Sequence, residues 1–218
     1  MRGMKNYKLV IFDLDGTLAD TGRGIYNAHR HTLTAFHVSF KADDLDGLIG
    51  RELSAIYKDR FCLGAEKARD AVDVYRKWYA ENGIYQVDPY NGTEDMLKQL
   101  KAAHINLAVA TLKREDFAKS ILERLGVACY FDVIAGMDAA DTLNKKLLIR
   151  RCLEQLGVSA SDAVMVGDTV SDQAGAEKAG IDFLAVSYGY GYREYDRRND
   201  FPVATDMKEL TQLLLGAN

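Results

Sequence analysis

The chain has 218 residues, of which 48% are hydrophobic and 28% charged, and a formal net charge of −4. That is enough for one full domain plus a smaller insertion, and the acidic balance with no basic tail argues against a nucleic acid polymer or an anionic membrane as the main partner. Cys62, Cys129 and Cys152 are odd in number and form no C-x-x-C pair, which fits buried thiols in a reducing compartment and implies no zinc site; no stretch reaches membrane-spanning length and no apolar leader opens the chain, so the expected compartment is the cytoplasm.

The first predicted element is a buried strand, Leu9 to Phe12, which runs directly into Asp13-Leu14-Asp15-Gly16-Thr17. Two carboxylates at i and i+2 repel each other, and a divalent cation relieves the tension by taking one while the other remains available for proton transfer. Gly16 permits a tight turn, and Thr17 has a hydroxyl to give to a neighbouring oxygen. By themselves Asp13 and Asp15 are equally ordinary turn residues.

From Asp20 the period becomes helical for about 65 residues, too long for a connecting loop. Ile25, Ala28, Thr32, Leu33 and Phe36 form one apolar stripe. Leu53, Ile56, Tyr57 and Phe61 form a second, and Ala68, Ala71, Val72, Tyr75, Trp78 and Tyr79 a third. The turn residues 88–92 close the segment, so residues 21–88 are expected to be an inserted helical cap, with 1–20 and 89–218 as the main domain.

Beyond Thr93, helix and strand alternate: strands at Ile105 to Ala110, Val133 to Ala135, Ala163 to Val166 and Asp182 to Val186, with helices between them and a last helix opened by Asp206 and Glu209. This predicts an α/β fold, a Rossmann-like parallel sheet with helices on both faces and a small helical cap domain inserted. Ligands in such sheets bind beyond the carboxyl ends of the strands. There the sequence places Asp13 and Asp15, Thr111, and the run Gly167 to Asp172 containing Asp168; Lys145 and Lys146 open the helix before that last strand. Each has a plainer use as turn, cap or solvated surface residue. Together, in order, they suit a divalent metal and a phosphoryl group.

Asp13-Leu14-Asp15-Gly16-Thr17, Thr111, Lys145 and Gly167-Asp168 through Asp172, with a helical insert after the first motif, resemble the haloacid dehalogenase superfamily. The position of the insert is similar to that in its phosphatases with a type-one helical cap, the phosphoglycolate phosphatase and nucleotidase-like branch. The resemblance implies a Mg²⁺-dependent phosphomonoesterase acting on a small phosphorylated metabolite, with a cap that closes over the core. Asp13 would be the nucleophile forming an aspartyl-phosphate and Asp15 the general acid and base. Asp13, the Asp15 main-chain carbonyl, Asp168 and Asp172 would hold the metal, and Thr111 and Lys145 the phosphoryl oxygens. Lys145 fits the register better than Lys146. Leu112 stands where relatives often have asparagine, and the lysine lacks the proline that often follows it.

A sugar-phosphate phosphomutase shares these core residues, but Thr21-Gly22-Arg23-Gly24 lacks the cap histidine expected of one. A non-catalytic phospho-ligand-binding protein or a phospho-accepting signalling module fits less well, since Asp13 and Asp15 are both present and a cap is inserted. Arg23, Arg51 and the Tyr90-Asn91 region are candidate leaving-group contacts, with a solvated surface the plainer reading for the two arginines. Tyr188, Tyr190 and Tyr192, alternating with Gly189 and Gly191, could border the site or a partner surface, with an ordinary mobile loop the plainer reading. Substrate identity and the choice between monomer and homodimer stay open.

Overall fold

The structure, a computed structural model, describes residues 6–192 and 201–216. It divides into two compact units, one of Met1–Asp20 with Pro89–Asn218 and the other of Thr21–Asp88.

The larger unit is built on the strand β1 (Leu9–Phe12), whose four side chains are fully buried. The two-residue strand β2 (Ala19–Asp20) ends the first passage through this unit. The second unit carries α1 (Gly22–Ala35), the short α2 (Leu53–Ala55) and α3 (Ala65–Glu81). The two-residue strand β3 (Asp88–Pro89) begins the return, and α4 (Thr93–Ala102), β4 (Asn106–Arg114), α5 (Glu115–Arg124) and β5 (Val133–Met137) follow. After them come α6 (Lys145–Leu156), β6 (Ala163–Gly167), α7 (Val170–Ala179), β7 (Asp182–Val186), β8 (Val203–Ala204) and α8 (Met207–Leu215).

The six-stranded sheet has the order β5-β4-β1-β6-β7-β8, and each of its pairings is parallel. β1 lies between β4 and β6, with Leu9 opposite both Asn106 and Ala163. A strand covered on both faces must be apolar throughout, which is why Leu9 to Phe12 show no polar alternation. Leu9 and Ile11 pack on one face against Leu148, Ile149 and Cys152 of α6 and Ala176 of α7. Because all strands run the same way, the residues after β1, β4 and β6 emerge at one edge. Helices α6, α7 and α8 each stop at a glycine in the left-handed conformation, Gly157, Gly180 and Gly216.

The return passage is pinned to the first at a single acceptor. The Leu18 carbonyl takes the Tyr90 amide at 3.3 Å and the Thr93 hydroxyl at 3.1 Å.

In the smaller unit, α1 buries Ile25, Ala28 and Leu33, and α3 buries Ala68, Ala71, Val72, Tyr75 and Tyr79. The second expected stripe is not one regular α-helix. Leu53–Ala55 passes into a wider π turn over Ile56–Arg60, and the segment ends near Cys62, whose φ is +54°. Ile56 and Tyr57 are buried nonetheless, whereas Cys62 is exposed, as is Cys129, so of the three thiols expected to be buried Cys152 alone is. The Tyr57 hydroxyl lies 3.0 Å from Nδ1 of His29, itself buried on α1, and Tyr75 and Tyr79 stack at 5.7 Å. Trp78 is only half-buried and stacks on His31. Among the described residues, no helix is long and apolar enough to cross a membrane.

Candidate active site

The chain turns as soon as β1 ends. The Asp13 amide still donates to Val166 at 2.9 Å, so this carboxylate stands one residue beyond the strand. Gly16 adopts φ +84° and its amide donates to Ala19 at 3.0 Å, closing the loop. A Cβ on Gly16 would overlap the Asp168 carboxylate, so the turn requires glycine on both conformational and steric grounds.

Asp168 directly follows β6 and is fully buried. Its two oxygens are held separately, Oδ1 by the Thr17 hydroxyl at 3.1 Å and Oδ2 by the Tyr190 amide at 2.7 Å. Asp172 lies in the first turn of α7, where its Oδ2 accepts from the amide and hydroxyl of Thr169 at 3.0 and 2.7 Å. This is a capping box with an aspartate as its acidic member. It leaves Oδ1 of Asp172 directed to Lys145, the first residue of α6, at 2.7 Å.

Lys145 is buried and its Nζ also lies 3.0 Å from Asp13 Oδ1 and 2.9 Å from the Ala110 carbonyl oxygen. Lys146 is the more exposed of the two, so the lysine at this cluster is Lys145. Thr111 follows Ala110 and is buried, its hydroxyl accepting from the Lys113 amide at 3.2 Å. Asp15 is directed elsewhere: its Oδ1 pairs with Lys113 Nζ at 3.1 Å.

Asp13, Asp168 and Asp172 each present a carboxylate oxygen, and these oxygens lie within 4.8 Å of one another. Among the described residues one ammonium faces this cluster of three acids, and the electrostatics register the imbalance. Burial pushes Asp13 up to about 7 against the pull of Lys145, with Asp172 and Asp15 adding to the rise. Burial raises Asp168 well above the usual carboxylate range, with Asp172 and Asp13 contributing. Burial also works against the charge of Lys145, but Asp13 and Asp172 outweigh it and the ammonium is held more firmly than usual. A cluster of hard oxygen donors short of positive charge fits a divalent cation such as Mg²⁺.

The structure therefore places Asp13, Asp168, Asp172 and Lys145 together, with Thr111 at the same strand edge and Asp15 beside them in the first loop. Arg23 and Arg51 are exposed side chains of the other unit. One residue escaped the sequence reading. Lys113 lies beyond the expected end of its strand, which continues from Ala110 to Arg114. Tyr190, which the sequence offered as a border of the site but more plainly as a mobile loop, is built into the Asp168 site; alternating glycines that let backbone approach backbone were the available signal.

Residues 10–186 match the family model of haloacid dehalogenase-like hydrolases. A tyrosine-protein kinase, PtkA, from Mycobacterium tuberculosis is 34% identical over 208 residues, covering 94% of this chain and 71% of that protein. A 5'-nucleotidase from Pseudomonas aeruginosa is 30% identical over 213 residues, covering 95% and 96%. A crystal structure described as a predicted phosphatase from Clostridium acetobutylicum superposes with a TM-score of 0.90 at 32% identity, covering 96% of this chain and 99% of that one. With its parallel sheet, its strand-edge aspartates and this family match over most of its length, the chain belongs to the haloacid dehalogenase-like hydrolases, as an enzyme of the phosphatase type.

Proposed function

We propose that the protein is a Mg²⁺-dependent phosphomonoesterase that acts on a small phosphorylated metabolite, of the phosphoglycolate or nucleotide kind, through an aspartyl-phosphate. The observation that carries this reading is the division of labour in the first loop: Asp13 sits in the carboxylate cluster, while Asp15, two residues on, is paired outside it. A nucleophile and a proton donor are thereby kept apart.

In the first step an Asp13 carboxylate oxygen attacks phosphorus in line, the bond to the leaving oxygen breaks, and protonated Asp15 gives that oxygen its proton. In the second, Asp15 as carboxylate takes a proton from water, which attacks the same phosphorus and releases phosphate and free Asp13. Thr111 binds a phosphoryl oxygen through its hydroxyl. Lys145 balances the charge of Asp13 and Asp172 and offers its ammonium to the phosphoryl group. Asp13, Asp168, Asp172 and the main-chain carbonyl of Asp15 would hold Mg²⁺, which supplies charge neutralisation for the phosphoryl oxygens. Residues 21–88 serve as the cap.

A second reading, transfer of the phosphoryl group to a hydroxyl acceptor instead of water, is favoured by the relative named a tyrosine kinase. One assay separates the two: phosphate release from a panel of phosphomonoesters with and without Mg²⁺, with Asp13→Asn as control. Metal-dependent release by the wild type alone supports hydrolysis. Substrate consumption without matching phosphate release supports transfer.

A further inference from the structure

β4 does not keep step with its neighbour. Ala110 faces Ala135, but Arg114 faces Met137, so four steps along β4 are matched by two along β5. Residues 111–113 form a bulge at the strand end, a device that re-aims side chains beside active sites. Gly136 makes room for it, since a Cβ there would lie 2.5 Å from Cα of Glu115 and 2.8 Å from the Lys113 carbonyl oxygen. The bond from the Lys113 amide to the Thr111 hydroxyl ties the bulge internally.

The bulge leaves Lys113 with its side chain only 6% exposed and its ammonium 3.1 Å from Asp15. Lysine is seldom buried to this extent without a partner. Among the described residues the site thus holds two buried ammonium groups with separate charges to meet. Lys145 faces Asp13 and Asp172, whereas Lys113 faces Asp15.

We propose that Lys113 is a specificity-determining residue that binds an anionic substituent of the leaving group. It selects phosphate esters or anhydrides whose leaving oxygen is followed, within one or two bonds, by a carboxylate carbon or a second phosphorus. The inference rests on the phosphatase reading, because Asp15 must come within about 3 Å of the leaving oxygen to protonate it. An ammonium in contact with Asp15 then lies beside the first atoms of the leaving group. A neutral alcohol gives it no further partner. A carboxylate or phosphate gives it a charge-assisted hydrogen bond in a site sheltered from water. Because that group sits next to the breaking bond, small acids such as glycolate are preferred over nucleosides, whose first carbons are neutral.

Two measurements test this. The first compares kcat and KM for phosphoglycolate and for ethyl phosphate, a neutral alkyl ester that needs the general acid equally, in the wild type, Lys113→Met and Lys113→Arg. Lys113→Met is expected to lose about 30-fold or more in kcat/KM on phosphoglycolate, chiefly through KM, and at least tenfold less on the neutral alkyl ester; Lys113→Arg recovers part of the loss. Equal losses on both substrates would show that Lys113 acts only through Asp15 and would overturn the proposal, as would no loss on either. The second is independent of turnover. Calorimetric titration of 3-phosphonopropanoate and propylphosphonate into the Asp13→Asn protein with Mg²⁺ should give the carboxylated ligand an advantage of about tenfold. That advantage should disappear in Asp13→Asn/Lys113→Met of normal circular dichroism and thermal unfolding. Its absence with Lys113 in place overturns the proposal, and so does its persistence in the double variant. If the wild type releases phosphate from no ester, the phosphatase reading fails, and the titration still decides the role of Lys113.

Discussion

The amide of Tyr190 donates to Asp168 Oδ2 at 2.7 Å, and the Tyr190 phenol donates to Asp20 Oδ1 at 2.6 Å. One residue therefore grips both a carboxylate of the proposed metal centre and the last residue of the first passage through the core. The flanking glycines let the backbone come this close, since a Cβ on Gly189 would overlap the Gly16 carbonyl oxygen and the Asp168 carboxylate. Gly189→Ala should cost about 1–3 kcal/mol through overpacking and shift Asp168 from its seat. Thermal unfolding with and without Mg²⁺ checks this: the variant should lose most of the stabilisation that Mg²⁺ confers on the wild type. A shift in stability alone, with the Mg²⁺ response intact, would show that the glycine serves packing only.

Asp13 and Asp15 should fail in different ways. Asp13→Asn removes the attacking oxygen and should lower turnover by about 10⁴-fold or more in a folded protein. Asp15→Asn should lower it by about 10²- to 10⁴-fold. With p-nitrophenyl phosphate, whose leaving group needs little protonation, the Asp15 variant should still form the aspartyl-phosphate but release it slowly. Acid quenching with labelled substrate should recover protein-bound phosphate from Asp15→Asn and none from Asp13→Asn.

Lys145 is the built-in cation of the cluster. Lys145→Met leaves Asp13 and Asp172 facing each other without it, and breaking a buried pair in this way costs about 3–5 kcal/mol. Chemical denaturation should record that loss, and adding Mg²⁺ should restore more stability to the variant than to the wild type. A Mg²⁺ increment no larger than the wild type's would mean that the metal and the lysine do not answer the same charge.

His29 should make the smaller unit sensitive to acid. Burial holds its imidazole down to about 3, against an ordinary value of 6.5. Above pH 6.5 both folded and unfolded His29 are neutral and nothing is lost. As pH falls below that, the unfolded chain takes up a proton that the folded one refuses, and stability declines by about 1.4 kcal/mol per unit, or about 2 kcal/mol at pH 5. His31, His37 and His104 are exposed. Asp13 and Asp168, raised by burial, act in the opposite direction over the same range, so the contribution of His29 is read as a difference. In urea unfolding between pH 7 and 5 the change in wild-type stability should be less favourable than that of His29→Gln by about 2 kcal/mol; identical pH dependences would show that His29 is not the source.

The parallel sheet was legible because its central strands are apolar without alternation and its helices end at glycines. Asp13, Asp168 and Asp172 were legible because each follows such a strand within a few residues. Lys113 was not, since a bulge depends on what the neighbouring strand allows, and here that is settled by Gly136, more than twenty residues away. Tyr190 was legible only as a possible border of the site, because its two partners, Asp20 and Asp168, are brought to it only by the sheet. The irregular turn over Ile56–Arg60 was missed because apolar spacing alone does not distinguish a π turn from an α-helix.

The place of β1 has a consequence for how the protein comes into being. Both of its neighbours are distant in the chain, β4 beginning at Asn106 and β6 at Ala163. During synthesis, the first twenty residues must wait for about a hundred and fifty more before Phe12 is flanked on both sides, so the reactive centre is among the last features to mature. Long waits of this kind slow folding and leave an apolar strand open to wrong partners. The two hydrogen bonds that the Leu18 carbonyl accepts, from Tyr90 and Thr93, offer an earlier foothold: they can fasten the first motif once residue 93 has emerged, before either flanking strand exists.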